Sequence, residues 1–97
     1  MISAEVIKGV QQLLEERGVK QKTGEKFGDF VARGLGISAR QAEALLAALH
    51  DGDSVDEAVR AAEIDPDDVS EDLLIQMARA IGSALGRTAP NKSAGRN

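Results

Sequence analysis

The chain has 97 residues, of which 42 % are apolar, and a formal net charge of −4, a balance that falls on the globular rather than the disordered side and suits one domain. It has no Cys, which excludes disulfides, thiolate metal ligands and a thiol nucleophile. Two Phe are the only aromatics, so Leu, Ile, Val and Ala, all compatible with helices, must fill the core.

Start and stop signals divide the chain into five helical segments. Ser3 is a suitable cap for a first helix with Val6, Val10, Leu13 and Leu14 at helical spacing, Ile7 flanking them and Gly18 ending it. A polar stretch leads to Thr23, read as the cap of a short second helix that shows Phe27, Phe30 and Val31 on one face and closes at Gly34 and Gly36. Ser38 with Gln41 forms a capping box, in which each side chain satisfies the other residue's free N–H. The third helix then presents Ala42, Leu45, Leu46 and Leu49 and stops at Gly52. Ser54 with Glu57 repeats the box before a short fourth helix carrying Ala58, Val59 and Ala62, with Ile64 at its end.

Asp65 suits a cap and Pro66 a first helical position, where the missing N–H costs nothing. The fifth helix is therefore expected to begin there and to stack Val69, Leu73, Met77, Ile81 and Leu85. From Gly86 onward no apolar period survives, and residues 87–97 read as a flexible basic tail behind a single domain, 1–86. The expected fold is a small all-α bundle of about five helices, with a helix-turn-helix-like C-terminal half and the first two helices covering its open side.

Charge is unevenly spread. Residues 1–36 carry six basic and five acidic side chains. Residues 37–76 carry eleven acidic and only Arg40 and Arg60 as basic ones, a net of −9, and residues 77–97 hold four basic and no acidic groups. An acidic block thus lies between a mixed head and a basic tail. No apolar run approaches the roughly 20 residues that span a bilayer. The opening Met1-Ile-Ser-Ala-Glu5 lacks the features of a secretory signal, which makes the cytoplasm the expected location.

The order Ser38, Leu45, Gly52, Ser54, Glu57, Ala58, Ile64, Val69 resembles the helix-turn-helix of LuxR-type transcription regulators over residues 37–76. That resemblance rests on caps, a Gly and apolar spacing, and it implies a scaffold helix, a Gly-containing turn, a small helix and a recognition helix. The family's activity does not follow, because a groove-reading helix brings its first turn between two rows of phosphates. Here that turn holds Asp65, Asp67, Asp68, Glu71 and Asp72, and no Lys or Arg occurs until Arg79. Affinity for duplex DNA comes largely from basic groups at phosphates, so these carboxylates repel the partner they would approach. A shorter stretch, Gly24-Glu-Lys-Phe27-Gly-Asp-Phe30-Val-Ala-Arg33, resembles a segment near the C-terminus of sirohaem-dependent sulfite reductases. It implies at most a shared packing element, since the chain has no cofactor cysteines; its plainer reading is an amphipathic helix with both Phe in the core.

Residues suited to chemistry have simpler explanations. His50, the only histidine, sits beside Asp51 at a helix end where a cation is favoured, with no nucleophile recognisable by motif. The run Asp51-Gly-Asp-Ser-Val-Asp-Glu57 fails as a calcium loop, because the fifth, sixth and twelfth positions counted from Asp51 are Val55, Asp56 and Ala62. Ala78, Gly82 and Gly86 recur every four residues and permit close helix packing, within the fold or in a homodimer. Gly9 and Gly28 invite the same account. No cofactor, metal or enzymatic activity is expected. The sequence favours a non-enzymatic adaptor or regulator that meets a protein partner through Asp67, Asp68, Glu71 and Asp72. Two alternatives stand beside it: a DNA-binding regulator using Lys20, Lys22, Lys26 and Arg33, or the tail, for phosphates, and an accessory subunit of a redox enzyme.

Overall fold

A computed structural model describes residues 3–86; the tail predicted at 87–97 lies outside the described residues. Five α-helices follow in chain order: α1 (Ala4–Glu16), α2 (Phe27–Leu35), α3 (Ala39–His50), α4 (Val55–Ala61) and α5 (Glu71–Ala84). A single 3-10 turn, Pro66–Asp68, precedes the last of them, and there is no strand among the described residues. The protein is all-α, and none of its described helices is long and apolar enough to cross a membrane.

Local chemistry sets most of the helix starts. The Ser3, Ser38, Ser54 and Ser70 hydroxyls accept from the backbone N–H groups of Val6, Gln41, Glu57 and Leu73. At Ser38 and Ser54 the box is reciprocal, with Gln41 Oε1 and Glu57 Oε1 each 3.1 Å from the serine N–H. Gly18, Gly36 and Gly52 take positive φ at or just beyond the ends of α1, α2 and α3, where a side chain would strain the backbone. The end of α4 has no such glycine. Glu63 adopts φ 57° there instead, and its carbonyl accepts from Gln41 Nε2 at 3.0 Å, joining the end of α4 to the start of α3.

Three boundaries differ from the sequence pattern. Helix α2 starts after Lys26, which makes no side-chain cap, and not at Thr23. The preceding residues form a turn, with Glu25 N–H donating to the Lys22 carbonyl and Gly24 at φ 80°, so Thr23 has no helix to cap. Gly34 does not close α2 but lies inside it, where a Cβ would come within 3.1 Å of Leu14 Cδ2 and 3.4 Å of Val19 Cγ1. The fifth helix does not run from Pro66. Asp65 caps only the 3-10 turn, Val69 is extended at φ −129° and ψ 153°, and Ser70 caps α5 afresh.

Packing is organised around α3. It lies against α2 on one side and α4 on another, with further contact to α5, and buries Ala42, Leu45, Leu46, Ala48 and Leu49. Helix α1 packs mainly on α5. The two run antiparallel, as Arg17 at the end of α1 meets Asp72 at the start of α5 while Gly9 lies beside Ala80. Phe30, fully buried, is the largest side chain in the core, with Leu14, Leu45, Leu46, Leu74 and Met77 almost equally enclosed. Phe27 is half-buried at its edge, 6.3 Å from Phe30 between ring centroids. Gly82 is buried and Ala78 half-buried, so two of the three small residues considered for a homodimer are already covered within the chain to that degree.

Two stability measurements follow. Phe30→Ala removes the only fully buried aromatic and is expected to cost about 3–5 kcal/mol in urea unfolding, a large share of the stability of a domain of this size. Gly9→Ala is expected to act in the opposite direction. An added Cβ meets Ala80 only at 3.7 Å, ordinary contact, so close approach does not require glycine there. The gain in helix propensity should raise stability by about 1 kcal/mol, read from the same urea curves.

Candidate interaction cleft

Because α5 begins at Glu71 rather than Pro66, the chain between α4 and α5 has to cross from one helix to the next through Ile64, the 3-10 turn and the extended Val69. The crossing leaves an open cleft of about 500 Å³ between the two helices. Val55, Val59, Ile64 and Leu74 supply its apolar floor, with Pro66 beside them. Val59, Ile64 and Leu74 are largely covered, whereas Val55 is only half-buried. One turn on from Glu71, Ile75 is the one large apolar side chain classed as exposed among the described residues, at 37 %.

Carboxylates rim this floor. Asp56 comes from the first turn of α4, Asp67 from the 3-10 turn and Glu71 from the first turn of α5, with Arg60 as the single cation in the lining. None of these four side chains makes an ion pair among the described residues. These exposed charges therefore stand in solvent beside an apolar surface.

The four acidic residues singled out by sequence divide. Asp67 and Glu71 line the cleft. Asp72 faces α1 instead, where its Oδ2 accepts from Arg17 Nη2 at 3.1 Å and, within α5, from Gln76 Nε2 at 2.8 Å. Asp68 is exposed but outside the lining. Asp56 and Arg60, which complete the cleft, were legible from sequence only as a first-turn acid and a last-turn base of α4.

The basic residues of the alternative reading also come together, on the loop between α1 and α2. Lys20, Lys22 and Lys26 are exposed there. Arg33, however, is committed: its Nε and Nη2 donate to the two Glu25 carboxylate oxygens at 3.1 and 2.9 Å, and Nη2 also donates to the Lys20 carbonyl. Its guanidinium lies 5.9 Å from the Phe30 ring centroid. Glu25 is the organiser of this loop, since it also accepts from the Lys22 N–H at 2.9 Å while its carbonyl receives Gln21 Nε2. The Arg33 hydrogen bonds, with that of Lys22, hold the Glu25 carboxyl at about 2, against 4.5 for a free glutamate, and Glu25 in turn raises Arg33.

His50 stands half-buried in the last turn of α3, and among the described residues no group of three or more His, Asp or Glu side chains is placed to hold a metal ion. No protein-family model, curated protein or solved structure matches the chain at significant similarity.

The Glu25 carboxyl gives a pH signature. Its pKa is lowered on folding, so its contribution to stability is complete above about 4.5 and disappears as pH falls through about 2. Glu25→Gln should therefore be less stable than the native chain by a margin that is constant near neutrality and shrinks between pH 4.5 and 2. Thermal unfolding of both proteins across that range measures the margin.

Proposed function

We propose that this protein is a non-enzymatic interaction module, an adaptor or small regulator of the cytoplasm, that binds a protein partner through its acidic surface. The observation that carries this reading is the cleft between α4 and α5, where Asp56, Asp67 and Glu71, without an ion pair among the described residues, surround an apolar floor. Apolar contact supplies affinity once water is expelled, and uncompensated carboxylates favour a cationic partner over nucleic acid. Helices α3 to α5 are read as a degenerate helix-turn-helix of the LuxR kind. In support, Ser38 and Ser54 cap, Gly52 turns, and Leu45, Ala58 and Ile64 are buried, while the acidic start of the last helix argues against groove reading.

One observation favours the second reading, a DNA-binding regulator: Lys20, Lys22 and Lys26 share one exposed loop. Against it, the Arg33 guanidinium is tied to Glu25, which leaves three lysines and no free guanidinium among the four residues named for phosphate contact. Mobility-shift titrations across salt separate the two, because phosphate contacts make affinity fall steeply with ionic strength.

The direct test recovers tagged protein from its own cells after cross-linking. It compares the native chain with the variant Asp67→Asn, Asp68→Asn, Glu71→Gln, Asp72→Asn, and circular dichroism verifies the fold of both. The variant is expected to lose most of the co-purifying protein. Equal recovery of the same partners would overturn the acidic-surface reading.

A further inference from the structure

The cleft has more definition than an acidic face in general, and its residues specify an occupant. This inference rests on the proposed partner-binding function and narrows it to one site. We infer that the α4–α5 cleft receives a short cationic amphipathic segment of a partner protein, with an apolar side chain on the floor and Lys or Arg side chains against the rim.

Charge complementarity carries the inference. Asp56, Asp67 and Glu71 arrive from three different elements yet border one surface, and none is neutralised by an ion pair among the described residues. Elsewhere on α5 the structure does neutralise a carboxylate, since Asp72 at the same helix end is held by Arg17. Asp56, Asp67 and Glu71 stay open beside the apolar floor of the cleft. Ile75, exposed and one turn from Glu71 on the same helix, lies outside the lining but within reach of a segment that extends past Glu71.

The shape narrows the ligand further. A cleft of about 500 Å³ between two helices admits one or two side chains rather than a folded domain surface. An amphipathic helix offers what is needed, with apolar anchors one turn apart and basic residues flanking them. Arg60 adds polarity to the arrangement. As the one cation in the lining it repels a basic residue at its corner and favours a carboxylate or the free carbonyls of a helix C-terminus, which fixes the direction in which the segment lies.

The experiment titrates the isotope-labelled full chain with a synthetic amphipathic Leu/Lys peptide of about four helical turns, and with its Leu/Glu twin, while amide shifts are followed by NMR. The expected result is saturable shifts for the Leu/Lys peptide at Val55, Val59, Ile64, Asp67, Glu71 and Ile75, and none for the twin. Affinity should weaken about tenfold or more in the exposed charge reversals Asp67→Lys and Glu71→Lys, while Asp53→Lys, outside the cleft, leaves it nearly unchanged. Shifts that spread over Asp51, Asp53, Glu15 and Glu16 instead would overturn the cleft as the site, yet leave the acidic-surface reading standing on its own recovery assay. No binding of either peptide, with partner recovery still dependent on the carboxylates, would overturn the cationic segment as occupant. If the cleft amides shift with protein concentration in the absence of peptide, a second copy of the chain is the occupant and the inference falls.

Discussion

A helix that must be buried on several sides at once constrains everything around it. Helix α3 touches α2, α4 and α5, and so it cannot afford large side chains on every covered face. Leu45, Leu46 and Leu49 fill the space between helices, while Ala42 and Ala48 let the neighbours come near. With two Phe in the whole chain, density has to come from many small and medium side chains rather than a few large ones. Phe30 is the exception, and its burial brings α2 onto the same core. The cleft follows from this arrangement: α4 is held by α3, α5 is shared between α1 and α3, and the two hardly touch each other.

The parts of this fold that were readable in sequence are the parts decided within a few residues. The two capping boxes, the Gly18, Gly36 and Gly52 turns and the apolar stripes of α1 and α3 depend on neighbours along the chain, and the structure has them where spacing put them. The start of α5 departs from the sequence pattern because Asp65-Pro66 is as good a local cap as Ser70. What decides between them is Val69, which stays extended and rests against the core, a contact that no local rule contains. Thr23 failed for a similar reason. Glu25 holds the loop through Arg33, eight residues away and across a turn, and that pairing has no helical spacing by which it can be recognised.

The candidate site was only half legible. The density of negative charge in residues 37–76 marks the region that holds the cleft, yet charge along a chain does not tell which side chains face one another. Asp72, adjacent to Glu71, points away and is spent on α1, whereas Asp56, 15 positions before Glu71, stands with it on the same rim. Likewise the lysines of the first loop looked equivalent to Arg33 until the structure tied that guanidinium to a carboxylate and an aromatic ring.

The antiparallel seam between α1 and α5 joins the first and last described helices, with Arg17 and Asp72 separated by 55 residues. On the ribosome, which releases the chain from its N-terminus, α1 emerges with Val6, Val10, Leu13 and Leu14 and finds its principal helical partner still unmade. Until α5 has been synthesised, the apolar side of α1 lacks the surface that covers most of it in the folded chain. The seam between α1 and α5 therefore assembles only after α5 has been made.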